Sequence, residues 1–232
     1  MSSLVWANHN SELDVALTHH KAQNYQQALA IYQKLADMGD PTAQNNLGTL
    51  YEYGQGTAQD DKQAFFWYTK SANQGYAVAQ NNLGAMYANG RGVDKDHKKA
   101  SEWYTKSANQ GNAQAQNSLA TLYFYGHGVE KDDKKTVELF LKSANQGDSF
   151  AQNNLGIMYL RGIGVDKDPK QAFKWLSKSA EQGQADAQYY LGEMYEQGIG
   201  VNKDIAKAQE YYKKSAEQGH VRAIRNLSDN AK

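Results

Sequence analysis

The chain has 232 residues, with 25 Lys plus Arg against 25 Asp plus Glu for a formal charge of zero, and no cysteine. That balance, with no long block of one sign, excludes the concentrated basic surface that a nucleic-acid groove needs and an electrostatic membrane anchor. Without cysteine there are no disulfides and no thiolate metal sites, so stability rests on packing.

The opening MSSLVWANHNSELD has no basic start and no apolar run of signal-peptide length, and no stretch is apolar enough to span a membrane. The chain therefore reads as cytoplasmic, or as periplasmic or secreted if a leader has been removed. Residues 1–10 read as a loose lead-in. Leu13, Ala16, Leu17 and His20 then share one helical face, and KAQN makes a short connection. Ala28, Ile31, Tyr32, Leu35 and Ala36 follow as a second helix ended by Gly39. Residues 1–42 are thus a lead-in and one helix pair, which resembles a tetratricopeptide hairpin.

From Ala43 one sentence is written five times, over 43–78, 79–114, 115–150, 151–186 and 187–222. Leu47, Leu83, Leu119, Leu155, Leu191 and Leu227 mark its 36-residue period. A fixed period of this length signals stacked supersecondary units that bury their apolar faces only against one another. The first helix of each unit reads A-Q-N-N-L-G-x-x-Y, and its glycine recurs at Gly48, Gly84, Gly156 and Gly192, with Ala120 as the exception. Glycine inside a helix costs about 1 kcal/mol against alanine, so its recurrence predicts that another helix passes too close for a Cβ.

Each first helix stops at a G-x-G pair, from Gly54/Gly56 to Gly198/Gly200. These pairs follow a helix and lack both a third glycine and a GK[ST], so they read as left-handed turn residues and not as a phosphate loop. Asp60, Asp96, Asp132, Asp168 and Asp204 then fall where a helix N-cap is expected, with Pro169 at the first helical position of one copy. The spacing lacks the oxygen-rich loop that calcium requires. The second helix carries Trp67/Tyr68 and its equivalents, predicted to wedge between pairs. It closes at a C′ glycine, Gly75 in the first copy. Residues 223–232 begin a sixth first helix without a partner, a terminal cap with Arg222, Arg225, Asp229 and Lys232 on its polar side.

The pattern A-x-x-x-L-G-x-x-Y-x-x-G-x-G-V-x-x-D-x-x-x-A-x-x-W-x-x-x-S-A-x-x-G, from residue 43 to about 227, resembles the Sel1-like repeat, a longer-looped relative of the tetratricopeptide repeat common in bacteria. Ala120, Thr57 and Thr136 depart from it. The resemblance implies an all-α fold, a right-handed α-solenoid of antiparallel helix pairs whose concave surface is lined by the first helices. It also implies an adaptor or scaffold role, or that of an immunity protein neutralising a secreted toxin.

The positions that differ most between units are 49, 52 and 53 and their equivalents, on the helix side away from Ala43, Leu47 and Tyr51. Apolar and aromatic residues concentrate there in the middle of the chain, beside an arginine, the composition of an interaction hot spot. The candidate partner-binding residues are Tyr53, Asn89, Phe124, Tyr125, Ile157, Leu160, Arg161, Tyr189, Glu193 and Gln197. The alternative is that curvature buries them against the next helix. Asn46, Asn82 and Asn154 read either as contacts to a peptide backbone or as inter-helix hydrogen bonds.

No H-E-x-x-H, Walker, Rossmann or nucleophile-elbow motif is present, and the recurrent serines, such as Ser71, sit where the helices pack. The sequence therefore predicts no catalytic, cofactor-binding or metal-ligating residue. The expected function is non-enzymatic binding of another protein or peptide segment, with no nucleic acid and no membrane insertion, and a single copy is favoured over an oligomer. A toxin-neutralising inhibitor is the second reading, and a hydrolase or cell-wall ligand binder the third.

Overall fold

A computed structural model describes residues 3–229, with side chains described over residues 11–228. Lys232, assigned above to the polar side of the terminal cap, lies outside the described residues. Among them the chain is all-α. Helix α1 (Ser3–Lys21) begins near the start of the chain and corrects the loose lead-in expected over residues 1–10. Nothing between Ser3 and Asn10 breaks a helix, since the segment contains neither Gly nor Pro.

Helix α2 (Tyr25–Asp37) completes the first pair. Five pairs of equal length follow: α3 (Pro41–Tyr53) with α4 (Asp61–Asn73), α5 (Ala77–Asn89) with α6 (His97–Asn109), α7 (Ala113–Tyr125) with α8 (Asp133–Asn145), α9 (Ser149–Arg161) with α10 (Pro169–Glu181), and α11 (Ala185–Gln197) with α12 (Ile205–Glu217). The unpaired α13 (Val221–Asp229) ends the series. The helices form two compact units, Met1–Ala115 and Gln116–Lys232.

In the first unit Ala16, Ala28, Tyr32, Leu35, Leu47 and Leu50 are fully buried, and Trp67 of α4 packs into the same cluster. Tyr68 and Ala64 join Ala79, Leu83 and Met86 of α5. In the second unit the same places are taken by Ala172 and Leu176 of α10 with Ala187, Leu191 and Met194 of α11. Alternating small and bulky residues thus fill the layers between consecutive helices.

The glycine inside the first helix has the cause that the sequence predicts. A Cβ on Gly48, Gly84, Gly156 or Gly192 would lie 2.5–2.8 Å from the side chain of Tyr68, Tyr104, Leu176 or Tyr212 respectively. These bulky residues therefore lie within a pair, against its own first helix, while Trp67 faces the pair before it.

The G-x-G pairs do more than turn the chain. Gly54 caps α3 in the left-handed region at φ 65°. A Cβ on the second glycine would strike the first residue of the second helix in the preceding pair: Tyr25 for Gly56, Asp61 for Gly92, Asp133 for Gly164 and Pro169 for Gly200. The loop therefore presses its bare backbone on that helix start. All five aspartates cap as expected, their carboxylates accepting backbone N–H groups two or three residues on at 2.9–3.0 Å.

Side-chain stitches recur with the same period. The Ser71 hydroxyl donates to the Pro41 carbonyl at 2.6 Å, and Ser107, Ser179 and Ser215 repeat the bond to Ala77, Ser149 and Ala185. Gln74 donates to Gln44 Oε1 at 2.8 Å, and Gln44 in turn donates to the Ala36 carbonyl. The Gln44 equivalents are buried, so these bonds satisfy polar groups that would otherwise cost about 1–3 kcal/mol each.

Candidate functional site

Because the packing uses the positions that recur, the free face of each first helix is found by subtraction. In α9 the residues left over are Phe150, Ile157 and Arg161, which share one stripe with the recurrent Asn154 at spacings of four, three and four. Phe150 is 63% exposed and Arg161 is exposed, while Asn154 and Ile157 are half-buried.

Beside that stripe the second unit holds a cavity of about 240 Å³, walled by Phe124, Phe140, Ile157, Met158 and Ile163. Thr121, Tyr125, Asn154, Arg161 and Tyr190 complete its lining. The rings of Phe124 and Tyr125 meet edge to face at 4.9 Å, and His127 stacks on Tyr125 at 5.6 Å. Arg161 Nη2 donates to the Tyr190 hydroxyl oxygen at 3.2 Å. No carboxylate pairs with Arg161 among the described residues.

The contrast with Arg91 is informative. Arg91 is held by Glu52 and Asp61, both at 2.7 Å, and the Asp61 carboxylate raises its already high pKa further. Arg91 is therefore a structural clamp between repeats, whereas the Arg161 charge is left available.

Four of the expected residues, Phe124, Tyr125, Ile157 and Arg161, line this one cavity. Tyr53, 64% exposed, and Asn89, also exposed, belong to the first unit and do not line the cavity. Gln197 is exposed at the end of α11.

Tyr189 is a correction. It is buried, packs with Ala208, Tyr212 and Ala223, and donates to Glu193 at 2.7 Å. Burial first, and the bond to Glu193 second, push its hydroxyl up to about 12. Glu193 is thereby half-buried and engaged as the acceptor of that bond. Leu160 is a second correction: it is half-buried against the cluster that contains Leu176, in the manner of a packing residue.

The reason lies in the column 52, 88, 124, 160, 196. It stands four residues after the glycine column, so both columns face the second helix of the pair. Tyr68 donates to Glu52 at 2.6 Å and Tyr212 to Glu196 at 2.8 Å. Where the second helix offers Phe140 or Leu176 in place of tyrosine, the column carries Phe124 or Leu160. That pairing was readable in the sequence in four of the five repeats, Ala88 opposite Tyr104 being the exception, and marks the column as one that answers the partner helix. Phe150 belongs to the free stripe of α9, while Tyr190 is half-buried against two core clusters and still lines the cavity; both extend the expected set.

The asparagines divide. Asn82 Nδ2 donates to Asn45 Oδ1 across the repeats at 3.0 Å, an inter-helix bond, while Asn154 lines the cavity.

The Sel1 repeat matches residues 21–40, 41–76, 77–112, 113–148, 149–184 and 185–220. The chain belongs to the Sel1 repeat family. The first matched stretch, 21–40, falls on the second helix of the pair read above as tetratricopeptide-like. A Sel1 repeat protein from Oxalobacter formigenes is 34% identical over 95% of this chain and 88% of its own length, with a TM-score of 0.88. A protective antigen of uropathogenic Escherichia coli is 39% identical over 94% of this chain with a TM-score of 0.83, and this chain spans 48% of it. An immunity protein of Pseudomonas aeruginosa shares the fold at 19% identity and a TM-score of 0.60, over 89% of this chain and 81% of its own. No curated protein matches the sequence. Sel1 repeats are in general a protein-interaction fold and not an enzymatic one. No helix among the described residues is long and apolar enough to cross a membrane.

Proposed function

We propose that the second unit is a protein-binding module that receives a segment of a partner on the free face of α9. The observation that carries this reading is the concentration, on one face, of groups that the packing leaves unused. Phe150 and Tyr125 expose more than half of their surface, and an open apolar cavity lies beside the unpaired Arg161. Aromatic residues and arginine dominate interface energetics when a partner desolvates them. At about 240 Å³ the cavity falls below the roughly 300–1,000 Å³ of sites for drug-sized molecules, and suits one or two side chains.

The test is capture of partners from lysate by the full chain, followed by titration of the purified partner. Ile157→Glu and Tyr125→Ala are expected to weaken it about tenfold or more each. Phe66→Ala, on the exposed face of α4, should leave it unchanged, and all variants should keep the wild-type melting temperature within a few degrees. A partner indifferent to both the Ile157 and the Tyr125 substitution would place the interface elsewhere.

A further inference from the structure

Resting on that reading, we infer that the segment held there is acidic: an apolar anchor side chain in the cavity with an aspartate or glutamate next to it in the chain, bound by Arg161 and Tyr190. Three observations support it. First, the Arg161 guanidinium has five N–H donors and uses one, on Tyr190. Second, that bond occupies a lone pair of the Tyr190 oxygen and leaves its O–H to donate outward, so two donors of different elements converge at the cavity edge. A carboxylate accepts from both at once, and charge-assisted bonds of this kind are the stronger class. Third, the carboxylates of α11 on that side are already engaged, Glu193 by Tyr189 and Asp186 by His220 at 3.2 Å. A basic segment would meet Arg161 with repulsion.

The anchor and the carboxylate must be close in sequence, because Arg161 and Tyr190 line the same cavity as Ile157 and Phe124. An acid within one or two residues of the anchor fits, since each extended residue spans only about 3.3–3.6 Å.

The experiment is selection of a random displayed peptide library on the full chain, in parallel on Arg161→Glu and on Ile157→Glu. Arg161 is exposed at the end of α9, so the charge reversal leaves the packing intact, as a melting curve checks. The expected result is enrichment of an aliphatic or aromatic residue with Asp or Glu within two positions. Synthetic peptides of that pattern should bind Arg161→Glu at least about tenfold more weakly, and selection on Arg161→Glu should replace the acid with Lys or Arg. Peptides that lose binding to Ile157→Glu but show no acid preference, or keep it on Arg161→Glu, overturn this inference and leave the binding face standing. Peptides indifferent to Ile157→Glu, or no enrichment at all, overturn both.

Discussion

The Tyr68 hydroxyl donates to a Glu52 carboxylate oxygen at 2.6 Å, and the other Glu52 oxygen accepts from Arg91 Nη1 of the next repeat at 2.7 Å. One half-buried carboxylate thus ties together a helix pair and its neighbour. Burial, helped by Glu52, raises the Tyr68 hydroxyl far above its usual range.

Tyr68→Phe is expected to cost about 2 kcal/mol, the loss of a hydrogen bond to a charged group. Replacing Glu52, Tyr68 and Arg91 together by Leu, Leu and Ile copies the set Leu160, Leu176 and Ile199 of a later repeat. The triple variant should cost much less than the sum of the single changes, as measured by urea unfolding. Simple additivity would show that the three residues do not act as one group.

The glycines separate two causes of intolerance. Gly75 has φ 90° with open space where a Cβ would be, whereas Gly92 combines φ 66° with a collision on the Asp61 backbone. Gly75→Ala should cost about 1–2 kcal/mol, the left-handed penalty alone. Gly92→Ala should cost clearly more, because α4 and the loop must also move apart. Equal costs in denaturant titrations would mean that the contact is slack.

Acid should weaken the first unit through His20. Burial lowers its pKa below the usual 6.5, with Tyr25 and Tyr32 edge-on to the ring at 5.5 and 6.0 Å. The unfolded chain then takes up the proton at a higher pH than the folded one, so stability rises with pH through that window. The contribution is complete above 6.5 and is lost as pH falls from there through the folded value. Melting temperatures of the wild type and His20→Gln should run parallel above pH 7 and converge or cross below about 6. Parallel curves throughout would remove His20 from the account.

At the far end, His220 does for α13 what Asp40 and Asp148 do for α3 and α9. Its Nδ1 accepts the Ala223 N–H at 3.2 Å, and its Nε2 faces Asp186. His220→Ala should cost about 1 kcal/mol, the usual value of a lost N-cap, and His220→Asn should recover most of it. Amide hydrogen exchange in residues 221–229 is the readout, with faster exchange expected in the alanine variant alone.

The repeats made most of the fold legible, because each rule was written several times over. Five aspartates ahead of five helices fix the caps, and the mid-helix glycines announce a helix too close for a Cβ, as Gly48 against Tyr68 bears out. What escaped were contacts between units of the pattern. Gly56, Gly92, Gly164 and Gly200 read as turn residues because each collides with a helix start some 30 residues earlier, which no local rule reports. Helix-wheel counting placed Leu160 and Tyr189 outward, since it sees one helix and not the second neighbour that closes its flank. Phe124, Tyr125, Ile157 and Arg161 were recognisable as side chains out of keeping with a solvated stripe. Phe150 follows the same logic two turns before Ile157 on that helix.

The residues around Glu52 also make the repeats non-interchangeable. Arg91 and Glu52 meet across one junction, while Ile163 and Phe124 line one cavity at another. An unequal crossover that copied residues 149–184 in behind 41–76 would set Ile163 against Glu52, stranding a carboxylate beside an aliphatic chain. Although the periodic sequence invites duplication and deletion, its junctions behave as keyed connectors that fix the order of the modules, and inheritance of the array is constrained accordingly.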